Sequence, residues 1–458
     1  MPEDRVLITS LSVYPKMTHY KLNEKDFETN QAPLALMQLL PEEKCPQRIL
    51  VLCSERILNE QFDSFREEIQ KNYRAQVVQD EDGSIQVEDL SIPDGVTTEE
   101  LWQSIQVILK SVPVGCKLTI DLTHGYRSFQ FLMFMAALYL RTLKNVQIEG
   151  VYYGMLEVSK GESQSISNSV LVDMSVLINM IEWFYAAKIF SETGQAKYIS
   201  ELLAPFGIPP VGIKGPACSP YSQVQKLQKA FMNMGAAYLQ ALPLEAGVES
   251  TMLLKLLEER LPQHLSANIP LPEELFGKVK EFIEPFAMDN AKRNKDKSSI
   301  TLNEEELKRQ ALMIDKYIEQ GYVNHSIGLM REWMVSAAMF QINKRNNYDL
   351  LEGNVWLSYK EKNGRVGRET VEYNFGELQK LVQSPEGSRL LTQGQKWLVV
   401  QWQFLTSKRN QLHHHGLKEG YYLLDSRKLL EIKQRWDTIK ASLSEKEKWD
   451  LEIHKEGN

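Results

Sequence analysis

Near the C-terminus, the run Lys408-Arg409-Asn410-Gln411-Leu412-His413-His414-His415-Gly416 gathers an arginine, an asparagine and three consecutive imidazoles, in a chain with eight histidines in all. Arginine carries a permanent planar charge that pairs with a phosphate in a bidentate way. Histidine exchanges protons near neutral pH. Together these groups suit metal-independent cleavage of an RNA phosphodiester. The imidazoles move protons between the 2′-hydroxyl and the leaving 5′-oxygen, and the guanidinium stabilises charge on phosphorus. Only RNA carries the attacking 2′-hydroxyl. Two other readings stand beside this one. Cations at a helix C-terminus stabilise its dipole without any catalysis. Three histidines can bind a metal, although adjacent side chains point apart and no acidic partner is in register.

A second concentration is Asp121-Leu122-Thr123-His124-Gly125-Tyr126-Arg127-Ser128. Here an apolar strand ends, a glycine permits a tight turn and a helix begins at about Ser128. Free backbone N–H groups and the positive helix end then face a cleft. Thr123, His124 and Arg127 add side-chain donors, a combination suited to a phosphate or another anionic ligand. Ser10 and Ser12 follow a first strand, and Ser54 follows a second, at the same edge. The plainer alternative is that Asp121 and Thr123 cap the next helix while His124 is buried and satisfied. No G-x-G-x-x-G or G-x-x-x-x-G-K-[ST] pattern occurs, so neither a dinucleotide fingerprint nor a P-loop is present.

These segments need elements to hold them. Arg5–Leu11, Arg48–Cys53, Gln76–Val78, Lys117–Asp121 and Val146–Tyr153 read as strands, with helices at Asn59–Lys71, Thr98–Leu109 (capped by Thr97 or Thr98) and Ser128–Leu143. Near-continuous apolar strands alternating with helices indicate a parallel sheet covered on both faces. The expected fold is therefore α/β plus all-α: a Rossmann-like, doubly wound sheet in front and an all-helical rear. Val170–Leu203 reads as a helical pair broken at Thr193-Gly194, and the Pro- and Gly-rich stretch Pro205–Pro220 as a linker. Helices follow at Tyr221–Gln240, Glu249–Leu261, Pro272–Ala287, Thr301–Gln320 and Tyr322–Gln341. Leu351–Asn374 reads as a strand- or loop-like insertion, and Lys292–Lys297 as a solvated loop. Helix resumes at Phe375–Val382, at Gln393–Leu412 and over Asp425–Ile453. The long apolar helix Trp397–Leu405 thus delivers Arg409 and the histidines, with Gly416 as its stop. Arg409 and His413 at i, i+4 share a face, so a kinked or frayed last turn is needed to bring His414 round.

The 458 residues are too many for one ordinary core. A net charge of −7 argues against a general nucleic-acid coat while allowing a local basic groove. Four scattered cysteines without C-x-x-C spacing point to a reducing, cytoplasmic setting. The N-terminus lacks the basic-then-apolar order of a signal peptide. The longest apolar run, Phe129–Leu140, is too short to span a bilayer, so no membrane is expected.

The Asp121–Ser128 stretch resembles the DxTHG motif of a family of CRISPR-associated proteins. The segments Leu171–Ala186 and Phe190–Gly194 are similar to the helical region that follows that motif. Arg409 to His414 resembles the RxxxxH pattern of HEPN ribonuclease domains. The resemblance implies a ligand-sensing CARF domain over 1–170, a helical connector and linker over 171–220, and a helical region over 221–458 that ends in the HEPN domain. It implies an endoribonuclease acting on single-stranded RNA with no metal and no cofactor, leaving a 2′,3′-cyclic phosphate. The implied switch is a cyclic oligoadenylate made by a type III CRISPR effector complex, by family habit the cyclic tetra-adenylate, with the hexa-adenylate as runner-up. Arg409 and His414 become the catalytic pair, and Asn410 orients substrate. Thr123, His124, Gly125 and Arg127 line the ligand pocket with Ser10, Ser12 and Ser54. The implied assembly is a homodimer or higher even oligomer. The rival reading is a non-catalytic regulator that senses a cyclic nucleotide and binds nucleic acid or a partner through its helical half.

Overall fold

A computed structural model describes residues 4–73, 85–125, 127–157, 167–288, 297–345, 351–360, 366–413 and 424–452. The chain divides into two compact units, Met1–Glu182 and Trp183–Asn458.

Among its described residues, unit 1 is built on eight strands: β1 (Arg5–Ser10), β2 (Thr18–Leu22), β3 (Lys25–Thr29), β4 (Arg48–Cys53), β5 (Gln86–Ser91), β6 (Lys117–Asp121), β7 (Gln147–Glu157) and β8 (Ser167–Asp173). They pair in the order β3-β2-β8-β7-β6-β1-β4-β5. The five strands from β7 to β5 run parallel, while β7–β8 and β2–β3 are antiparallel. Counted along the chain, the parallel five have the order 3-2-1-4-5 of a doubly wound Rossmann-like sheet, with its switch point between β1 and β6. The expected doubly wound sheet is therefore present.

Period-two alternation divides the β1 side chains between two cores. Val6 and Ile8 join Leu50, Leu118 and Ile120 on one face, under α3 (Thr98–Ser111) and α4 (Arg127–Lys144). Leu7 joins Ile49 and Val51 on the other, under α1 (Ala32–Leu39) and α2 (Asp63–Asn72). Each fully buried aliphatic side chain here stabilises the fold by roughly 1.5–3 kcal/mol. At the edges, β3 presents Lys25, Asp26 and Glu28, and β5 presents Gln86, Glu88 and Asp89. Such charges discourage further strand pairing.

Four expectations change. The strand expected at Gln76–Val78 lies outside the described residues, and the strand beside β4 is Gln86–Ser91, whose charges hid it. The hairpin β2–β3 and the helix α1 were not anticipated. Val170–Asp173 is the end of β8 rather than helix; α5 (Ser175–Thr193) follows, and the division between the units falls inside it. Gly194 ends α5 as expected, with φ +74° and the Tyr238 ring where a Cβ would stand.

Unit 2 is helical among its described residues, through α6 (Ser219–Leu239), α7 (Pro243–Glu258), α8 (Pro272–Ile283), α9 (Glu304–Glu319), α10 (Val323–Arg345), α11 (Arg368–Val382), α12 (Gln393–His413) and α13 (Ser426–Ala441). Its core includes Trp333 edge-on to Trp436 at 5.1 Å between ring centroids. Both indole N–H groups are satisfied, by Leu307 O at 2.8 Å and Asp315 Oδ1 at 2.7 Å. The stretch expected as a linker lies within this unit, where Gln225 Nε2 donates to Gly207 O at 2.8 Å. Leu351–Asn374 is no peripheral insertion. Leu351, Val355, Trp356 and Val371 are buried in the core, and α11 begins at Arg368. Its charged residues had masked an apolar set spaced for burial. The expected loop Lys292–Lys297 lies outside the described residues except for Lys297, which pairs with Glu245.

Candidate functional sites at the switch point and on the helix ending in the histidines

At the switch point of unit 1, Asp121 is 2% exposed and holds the turn from beneath. Its Oδ2 accepts from Thr9 Oγ1 at 2.6 Å and its Oδ1 from Thr123 N at 2.9 Å. One carboxylate thus ties β6 to β1 and fixes the backbone where the strand ends. Thr123 Oγ1 accepts from Gly154 N at 3.0 Å, which ties it to β7 and leaves its hydroxyl hydrogen and second lone pair. Gly125 is exposed, has φ +98°, and a Cβ there would lie 3.1 Å from Ser10 Oγ. The glycine is required by backbone and space alike. It sets the end of β1 beside the turn after β6, directly before α4.

His124 Nε2 accepts from Ala32 N at 3.1 Å. An acceptor nitrogen carries no proton, so the ring is neutral with its proton on Nδ1. Burial holds its pKa below the usual 6.5, against the opposing pull of Asp121. The N-cap residue of α1, Gln31, makes no side-chain cap, and His124 satisfies an N–H of that first turn instead. Nε2 of His124, expected to be a side-chain donor, is therefore a structural acceptor, and Nδ1–H is left to donate. Gln31 binds Ser12 at both backbone groups, accepting from N at 2.8 Å and donating to O at 3.3 Å. Ser10 and Ser54 are buried at their strand ends. Arg127 is the first residue of α4, and its side chain lies outside the described residues, as does Tyr126.

The sequence reading passed over Tyr14 and Arg56 as ligand residues. They follow β1 and β4, and the Arg56 guanidinium lies 4.7 Å from the exposed Tyr14 ring while donating to its hydroxyl at 3.1 Å. Neither thiol in the sheet is reactive: burial pushes Cys53 up to about 12 and Cys116 to about 11.

In unit 2, α12 buries Leu398, Trp402 and Leu405, spaced four and three apart. Arg409, four residues further, continues that stripe and is half-buried, while Asn410 is exposed. Trp402 anchors the helix by stacking on Phe375 at 4.3 Å and 8°, and the Arg331 guanidinium lies 4.5 Å from its ring centroid. Arg409 lines a cavity of about 480 Å³ with Glu332, Ser336, Arg368 and His325. Glu332 there is held by Arg331 at 2.7 Å and Arg368 at 2.6 Å. No hydrogen bond or ion pair to Arg409 is found among the described residues. Nothing local in the sequence marks Glu332, Ser336 or Arg368, which are separated from Arg409 by more than forty positions. His414 and His415 lie outside the described residues, as does the side chain of His413, where α12 ends. Among the described residues there is no cluster of three or more metal-ligating side chains that could hold an ion, and no helix long and apolar enough to cross a membrane.

No family model matches the chain. Over 112 residues it is 30% identical to the CRISPR-associated protein MJ1674 of Methanocaldococcus jannaschii, a stretch that is 24% of this chain and 17% of that relative. Enterococcus italicus Csm6 bound to cyclic hexa-2′-fluoro-hexa-dAMP is similar over 96% of this chain and 95% of its own, at 11% identity and a TM-score of 0.40. Likeness at that level sets no residue against another. About a quarter of this chain is thus similar to a CRISPR-associated protein, the class that Asp121 to Ser128 resembles.

Proposed function

We propose that the chain is a ligand-switched, metal-independent endoribonuclease of CRISPR antiviral defence. In this reading unit 1 takes a cyclic oligoadenylate at the switch point, and unit 2 cleaves single-stranded RNA. The observation that carries it is Arg409: a half-buried arginine, lining a cavity, with no carboxylate or carbonyl partner among the described residues. A partly desolvated cation without a counter-charge is costly, and a substrate phosphate supplies that charge in bidentate form. A dipole-stabilising arginine at a helix end would stand in water instead. His414 then takes the 2′-hydroxyl proton, the 2′-oxygen attacks phosphorus, and the 5′-oxygen leaves with a proton from an imidazole. The products are a 2′,3′-cyclic phosphate and a 5′-hydroxyl. Asn410 orients the strand, and in a homodimer two such segments share one site.

At the other site the ring phosphates meet the Gly125 turn and the first turn of α4, with Ser10, Ser12, Ser54, Thr123, His124 and Arg127 as the surrounding groups. The ligand favours the active arrangement only as far as it binds that arrangement more tightly. The test is cleavage of labelled single-stranded RNA in EDTA, with synthetic cyclic tetra- and hexa-adenylates. Activation by the tetra-adenylate is expected, and loss of cleavage in Arg409→Ala, Arg409→Lys and His414→Ala with ligand binding retained. Full activity in any of the three, or RNA binding without cleavage under every ring, would sink the assignment. The second outcome favours the non-catalytic regulator.

A further inference from the structure

We propose that the cavity beside Arg409 is a nucleobase subsite, which takes one base of the RNA strand whose phosphate Arg409 holds. The proposal rests on the reading of Arg409 as a phosphate ligand. Three observations carry it.

The cavity, about 480 Å³, lies within the range of roughly 300–1,000 Å³ usual for small-molecule sites and so admits a single nucleotide unit. Its floor is one face of α10, supplied by Asn324, His325, Gly328, Leu329, Glu332 and Ser336. Gly328 stands in the middle of a helix, where glycine costs about 1 kcal/mol relative to alanine. Its φ is not left-handed, and a Cβ built on it would meet nothing within 4 Å. No close neighbour therefore demands the glycine. A larger side chain at that position would project into the cavity, and glycine keeps it open.

The chemistry of the walls also fits a base on a phosphate strand. The carboxylates that could repel the strand are already matched, Glu332 by Arg331 and Arg368, and Glu245 by Lys297. Apolar surface from the exposed Leu242 can face the flat of a ring. His325 Nε2 lies 2.8 Å from Leu239 O and donates there. Asn324 brings an amide, donor and acceptor together, the group that pairs with adenine edges elsewhere.

The test uses the full-length protein and short single-stranded oligonucleotides with 2′-O-methyl groups, which cannot be cleaved, with and without one abasic position. Binding is read by fluorescence anisotropy. The wild type is expected to lose about ten-fold in affinity when the base is removed. Gly328→Leu fills the cavity and is expected to bind the intact strand as weakly as the abasic one, with an undiminished melting temperature. Gly277→Leu makes the same change at a helix glycine of α8 that does not line the cavity and also has open space around its Cβ position. It should bind as the wild type does. If Gly328→Leu keeps the full preference for the intact base, the subsite is overturned, while loss of binding in Arg409→Ala still upholds the reading of Arg409. If the wild type and Arg409→Ala bind all strands alike, the reading of Arg409 fails and the subsite falls with it.

Discussion

Asp121 is the residue on which the turn after β6 depends, and its removal has a calculable cost. In Asp121→Ala, the Thr123 N–H, 2.9 Å from the carboxylate, loses its acceptor, and the buried Thr9 hydroxyl, 2.6 Å from it, keeps only the longer bond to Ser10 O at 3.2 Å. A buried donor left unsatisfied costs about 1–3 kcal/mol. That one loss sets the scale, the weaker Thr9 bond adds a fraction of it, and the relieved desolvation of a carboxylate 2% exposed must be subtracted. The expected net loss is about 1–3 kcal/mol. In Asp121→Asn, the amide oxygen still accepts from Thr123 N and the amide nitrogen can donate to Thr9 Oγ1, so the loss should be nearer 1 kcal/mol. A two-unit chain need not unfold in one step. The assay is therefore native-state amide exchange of Leu118–Asp121, which reads the opening of β6 itself. Ligand affinity, measured in parallel, should fall further in the alanine variant than in the asparagine variant. A loss below about 0.5 kcal/mol in Asp121→Ala refutes the reasoning. Equal losses in the two variants would mean that charge, not hydrogen bonding, is what the turn needs.

His124 predicts a pH dependence. Its folded pKa lies below 6.5, so the unfolded chain takes up a proton that folded unit 1 refuses. The stability from this group is complete above about pH 6.5 and is lost as pH falls from there through the folded value. Unit 1 should unfold at lower urea near pH 5 than near pH 7, and His124→Gln should flatten that part of the profile; an unchanged slope would contradict the buried neutral ring. Gly125→Val places a branched side chain at φ +98° and its Cβ 3.1 Å from Ser10 Oγ. The strain of about 1–3 kcal/mol should weaken cyclic tetra-adenylate binding by ten-fold or more in calorimetry, and undiminished affinity would remove the turn from the ligand site.

Much of the fold was legible because its signals are local. Continuous apolar runs announced β1, β4, β6 and β7, and Thr97 announced the start of α3, where its side chain accepts from Glu100 N. The elements that escaped are those whose partners are distant. β5 and β3 are charged because they are the two edges of the sheet, and β2, between β3 and β8, is only five residues long. Val170–Asp173 looks helical in isolation and becomes strand only because β7 and β2 flank it. Leu351–Asn374 carries too many charges to read as core until α11 turns Val371 and Phe375 inward.

The sequence by itself determined where chemistry is concentrated: the strand-turn-helix at Asp121 to Ser128, and the arginine and histidines at the end of an apolar helix. Residue type, spacing and a glycine turn are properties of a few neighbouring positions. Only the tertiary structure decided what those side chains meet. Asp121 finds Thr9 across 112 positions, and His124 finds Ala32 across 92. Arg409 shares a cavity with residues from α7, α10 and α11. Parallel strands and packed helices bring distant segments together through register and crossover, which no local period encodes. That is why His124, a donor by its type, proves to be an acceptor by its place.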